Sequence, residues 1–113
     1  MSNAETVVDK SRGLLGILEN YVAKMPRDKK FTIGDRLLER GLSVLEGVTE
    51  AYYAPRNEKK ERIRKINVQI EVLRQIVRYL FERNDHNLSK HEHLTRELDG
   101  LGIMLGGWSK SLP

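Results

Sequence analysis

The sequence predicts an all-α protein: an antiparallel, up-down four-helix bundle. Three observations carry this. Apolar residues recur at helical spacing in four long stretches, the segments between them are short and rich in proline, basic or turn-forming residues, and no run alternates as a strand would. With 113 residues a single domain over 1–113 can bury a core without metal or disulfide help, and there is no cysteine to build a thiol site or a cross-link. Residues 1–4, Met1-Ser2-Asn3-Ala4, read as a tag remnant or disordered start and enter no argument. The N-terminus lacks the charged-then-apolar plan of a signal peptide, and no apolar run approaches the roughly 18 residues of a spanning helix. A soluble, cytoplasmic protein is the expectation.

The first helix is expected over about 5–25. Val7, Leu14, Leu18, Tyr21, Val22 and Met25 share one side, and Met25-Pro26 ends it, because the residue before proline is pushed out of the helical region. Gly13 and Gly16 each weaken it by about 1 kcal/mol, so packing must hold it. A basic connection, Pro26 to Lys30, leads to a second helix over 32–54, with Thr32 and Asp35 spaced like a capping box. Ile33, Leu37, Leu38, Leu42, Val44, Leu45, Val48, Ala51 and Tyr52 give it a wide core face. The third helix is expected over 57–85 with Asn57 as N-cap. The fourth, over 89–109, opens on Ser89 with Glu92 completing a capping box. Leu94, Leu98, Leu101, Leu105 and Trp108 form its seam, which makes Trp108 a core residue rather than a base-stacking one. Gly100, Gly102, Gly106 and Gly107 lie off that seam and point to close backbone approach or an early stop.

The third helix organises the rest. Ile63, Ile66, Ile70, Leu73, Val77 and Leu80 are spaced 3-4-3-4-3, a single stripe. At about 100° per residue, Val68, Val72, Ile76 and Tyr79 fall on roughly the opposite side. A lone monomer needs one core-facing stripe, so the second suggests an oligomer interface; the alternative is that both stripes are intramolecular, since a central helix can be buried on two sides. On one flank run Lys60, Arg64, Asn67, Arg74 and Arg78, a basic ridge interrupted mainly by Glu71. Lys59 and Lys60 oppose the helix dipole in the first turn, which leaves two readings, an outside reason for them or flexible lysines that reach into water. The net charge of +4 is modest. Self-association would repeat the ridge and multiply the field, so polyanion binding and the second stripe stand together.

Other chemistry finds little support. His86, His91 and His93 are the only histidines. Two of them at i and i+2 do not face one another, so they read as exposed turn or cap residues and no metal is expected. Carboxylates are spread over solvated faces, and no phosphate loop, nucleotide fingerprint or serine elbow occurs. Neither catalytic residues nor cofactors are expected. Asn87-Leu88-Ser89 matches a glycosylation sequon but reads as a turn and cap. The ridge is the feature with functional content, since such ridges bind phosphates without sequence preference.

Two segments carry a resemblance. Met25-Pro26-Arg27-Asp28-Lys29-Lys30-Phe31-Thr32-Ile33-Gly34-Asp35-Arg36-Leu37 resembles the proline, basic loop, aromatic and LGD-like helix start of the accessory variability determinant (Avd) proteins of diversity-generating retroelements. Gly102-Ile103-Met104-Leu105-Gly106-Gly107-Trp108-Ser109-Lys110-Ser111 resembles their closing MLGGW-type segment. Glu50-Ala51-Tyr52 and the leucine- and arginine-rich third helix fit the same pattern, from about residue 10 onward. Thr32-Ile33 departs from the commoner leucine-type start. A broader superfamily of bacterial four-helix proteins, including those encoded in ribosomal-RNA intervening sequences, shares the fold.

The resemblance implies a homopentameric barrel with a basic surface that is not an enzyme. It binds the retroelement's reverse transcriptase and nucleic acid, template RNA or cDNA, to support mutagenic reverse transcription. Carried onto this chain, its basic surface corresponds to Arg64, Arg74 and Arg78 with Lys60, extended by Arg27, Lys29 and Lys30. The alternative is a bundle of the intervening-sequence type, a protein-interaction adaptor with no direct nucleic-acid role. An enzyme is a third reading, which a metal or cofactor in the bundle interior would revive.

Overall fold

Four apolar seams close on one another to make the core. The computed structural model describes residues 3–83 and 88–113, with helices α1 (Asn3–Ala23), α2 (Arg27–Lys29), a π-helical turn (Lys30–Gly34), α3 (Asp35–Tyr53), α4 (Arg56–Arg83) and α5 (Leu88–Ser111). Among the described residues there is no strand. The four long helices form a closed ring of neighbours, α1 on α3, α3 on α4, α4 on α5 and α5 on α1, with no diagonal contact of backbones among the described residues. The body measures 45 × 23 × 21 Å. That length is set by the 28-residue α4, which at a rise of 1.5 Å per residue spans about 42 Å.

The α4 stripe Ile63, Ile66, Ile70, Leu73, Val77 and Leu80 is buried throughout, facing the α5 seam Leu94, Leu98, Leu101, Leu105 and Trp108. From α1 come Val7, Leu14, Leu18, Tyr21 and Val22. Ser11 is buried among them and stays satisfied by donating its hydroxyl to the Val7 carbonyl at 2.8 Å.

Several local expectations are corrected. Helical geometry on the way into α3 begins at Arg27, where the Pro26 carbonyl accepts the N–H groups of Lys29 and Lys30. Thr32 is therefore no N-cap. It lies inside the π-helical turn and donates its hydroxyl back to the Asp28 carbonyl at 2.7 Å. Asn57 is likewise inside α4, not its cap. Ser89 is inside α5, and residues 84–87, with His86 and the expected end of the third helix, lie outside the described residues. The core face of α3 is narrower than expected: Leu37, Gly41, Val44, Val48 and Ala51 are buried, whereas Leu42 is exposed. Gly41 faces α1, where a Cβ would stand 2.7 Å from Leu18 Cδ1 and 3.2 Å from Leu15 Cδ1, so the Leu15 and Leu18 side chains reach the α3 backbone there. The four α5 glycines do not do the same. α5 runs through all of them, and Gly106 and Gly107 face open space.

Candidate nucleic-acid interface

The basic flank of α4 is cationic in sequence but largely paired in the fold. Lys60 is exposed and makes no ion pair among the described residues, and Asn67 is exposed beside the ridge. Arg64 is clamped by Glu61, with Nε 2.9 Å from Oε2 and Nη2 2.7 Å from Oε1. Arg74 is half-buried and bonded to Asp99 of α5, with Glu71 Oε2 3.3 Å from its Nε. Arg78 pairs loosely with Glu82 at 3.7 Å. Helix spacing places Lys60 and Arg78 at opposite ends of α4, about 27 Å apart.

The carboxyl of Glu61 is held below the usual glutamate range. The hydrogen bond from Arg64 is the main cause; desolvation opposes it, and the charges of Arg64 and Lys65 add to the lowering. Lys59 is absent from this flank's available charge for another reason. Its Nζ donates to the carbonyls of Ala51 at 2.9 Å and Tyr52 at 2.6 Å, capping the end of α3. That contact within the chain accounts for Lys59 against the opposing dipole, while Lys60 is exposed.

The remaining predicted cations lie at the end of the bundle where α1 hands over to α3. Gly34 makes this end tight, since a Cβ there would meet Val22 Cγ1 at 2.9 Å and the Lys29 carbonyl oxygen at 3.2 Å. The turn is thus pressed onto α1. Arg27 is exposed, its guanidinium 5.9 Å from the ring centre of an exposed Phe31, while Lys29 and Lys30 are half-buried. Antiparallel packing brings Arg78 to this same end and leaves Lys60 at the other.

The second stripe of α4 is partly exposed on this single chain. Val68 and Tyr79 are 52% and 51% exposed, and Val72 and Ile76 are half-buried. With Ile33 from the π-helical turn they line an open apolar groove of about 360 Å³, rimmed by Glu71 and Gln75. Sequence reasoning placed Ile33 on the core face of the second helix; in the fold it also lines this groove beside α4. Lys24 and Lys90, far apart in the chain and close in the fold, were missed. His91 is half-buried rather than exposed, stacked on Phe81 with ring centres 4.4 Å apart. No group of three metal-ligating side chains gathers among the described residues, and no described helix is long and apolar enough to cross a membrane.

Groove and charged flank together define a helical-bundle scaffold whose features are surfaces. The chain belongs to the bAvd-like family, whose model matches residues 6–112. That span contains both segments that carried the Avd resemblance, and it places the chain among the Avd-type accessory proteins. Searches of curated proteins and of solved structures each gave no match.

Proposed function

We propose that this protein is a non-catalytic accessory subunit of a diversity-generating retroelement, binding the reverse transcriptase and template RNA or cDNA as a cytoplasmic homo-oligomer, a pentamer by family resemblance. The family match over 6–112 carries the reading. Lys60, Arg64, Arg74 and Arg78, with Arg27, Lys29 and Lys30, supply the basic surface, and Val68, Val72, Ile76 and Tyr79 the interface between copies. The groove supports the second assignment, because large apolar side chains are left part-exposed on one contiguous face.

One observation favours the adaptor reading. Arg64, Arg74 and Arg78 already have carboxylate partners within the chain, which reduces what the ridge offers a phosphate. Salt dependence separates the two. Nucleic-acid binding weakens log-linearly with salt, and Lys60→Gln with Arg78→Gln lowers the slope by about 1 per phosphate contact removed. An oligonucleotide that fails to bind at low salt, with the reverse transcriptase still captured, leaves the adaptor.

A further inference from the structure

Resting on the homo-oligomer reading above, we propose that a ridge on the α1–α3 side of the bundle enters the α4 groove of a second copy. The ridge is Leu38, Leu42 and Leu45 of α3 with Leu15 of α1. Leu42 is 46% exposed, and Leu15, Leu38 and Leu45 are half-buried. At about 100° per residue the three α3 leucines share an arc of about 60°, turned away from the core stripe Leu37, Val44, Val48 and Ala51. Leu15 joins them from α1, since it reaches the α3 backbone at Gly41, one residue before Leu42. A lone exposed leucine is ordinary, whereas a strip of four marks a surface to be covered.

Groove and ridge match in size and in charge. The groove is a hollow of about 360 Å³, and its lining from Val68 to Tyr79 runs about 16 Å along α4. The ridge is shorter, about 10 Å from Leu38 to Leu45, at the i, i+4, i+7 spacing with which a helix seats in an apolar groove. A cleft of about 330 Å³ continues the groove past Ile33 and Ile76, with Arg36, Arg40 and Glu39 on its α3 rim. On the opposite rim Glu71 is taken up by Arg74. Beside the ridge, the exposed carboxylates of Asp35 and Glu46 occupy the next arc of α3. An acidic border on the ridge thus meets a rim where guanidiniums outnumber carboxylates.

The two surfaces lie on adjoining sides of one bundle, the ridge between α1 and α3 and the groove between α3 and α4. One chain cannot fold its own ridge into its own groove. The contact is therefore head-to-tail, and each copy keeps a free ridge or a free groove until the series closes. A groove-to-groove dimer would instead leave the ridge wet.

Light scattering of the full chain and two variants separates these arrangements. Val68→Asp spoils the groove and leaves the ridge; Leu42→Asp spoils the ridge and leaves the groove. Each alone should run as a single copy of 13.1 kDa with the parent's helical circular dichroism. Mixed in equal amounts they should form a particle of two copies and no larger, because one intact ridge meets one intact groove. Should Leu42→Asp lose its helical signal, Leu42→Ser replaces it with the same expectations. Asp35→Lys with Glu46→Lys, which alters no apolar side chain, should weaken assembly by about tenfold or more. Leu42→Asp at the parent's mass, or a mixture that stays at one copy, overturns the ridge while the groove remains a contact between copies. Val68→Asp at the parent's mass removes the groove and its occupant together. A parent that itself runs as a single copy overturns both the ridge and the homo-oligomer reading.

Discussion

Arg64 and Glu61 show how a charge can be present and yet withheld. Both side chains are exposed, so their pairing adds little to stability, but it sets what the ridge presents to a partner. The Glu61 carboxyl is depressed in the fold, chiefly by the Arg64 hydrogen bond. Its contribution is therefore present above the unfolded glutamate value and is lost as pH falls through the lower folded value. Near neutrality, Arg64 stays masked. Glu61→Gln should tighten oligonucleotide binding and steepen the log K against log salt slope by about 1, as fluorescence anisotropy across a salt series would register. On the same argument Arg64→Gln should cost less affinity than Lys60→Gln, and the reverse order would mean that the pair opens on binding. Arg74 is a different case. It joins α4 to α5 through Asp99, so its removal is felt first as lost packing between helices, on the order of 1 kcal/mol.

At the scale of the element, what could be read from the chain was whatever repeats with the helical period. The α4 and α5 seams are unbroken stripes, and every member of both is buried. The junctions were harder, because their signals are single residues that can serve in more than one way. Thr32 with Asp35 has the spacing of a cap, yet the chain is already helical from Arg27, and the hydroxyl turns back to Asp28. Leu42 has the right chemistry for the core but lies outside it, while Gly41 takes the buried place facing α1. Of the candidate surface, the cations of α4 were legible by position. Their intramolecular partners at Asp99 and the gathering of Lys24 with Lys90 were not, being contacts between distant segments. Lys59 lies between these cases: its misfit with the α4 dipole was visible, but its target on α3 was not. Lys59→Met keeps the apolar stem and deletes two hydrogen bonds to α3's last carbonyls. It should destabilise the chain by about 1–2 kcal/mol, lowering the melting temperature by roughly 4–8 °C per kcal/mol in a domain of this size. A melt identical to the parent's would show that water serves those carbonyls equally well.

For the whole molecule, the question is whether the groove and the charge act together. A net charge of +4 on one copy makes a weak field, and internal pairing weakens the ridge further. A ring of copies repeats the cations of every bundle and sums their potentials over one surface. The groove supplies a reason for copies to meet, since Val68, Val72, Ile76, Tyr79 and Ile33 form a continuous apolar strip along α4. Val68→Asp tests this with little risk to the fold, because that side chain is 52% exposed in the single chain. The variant should keep the parent's helical content but move in light scattering from a multiple of 13.1 kDa to a single copy. Placing a carboxylate in an apolar interface without a partner costs several kcal/mol, enough to dissociate a micromolar assembly. If the field argument holds, the same variant loses oligonucleotide affinity far beyond one charge's worth, because each released copy carries only its own cations. An oligomer that persists in Val68→Asp would place the contact elsewhere. A monomer that binds as tightly as the parent would uncouple assembly from charge.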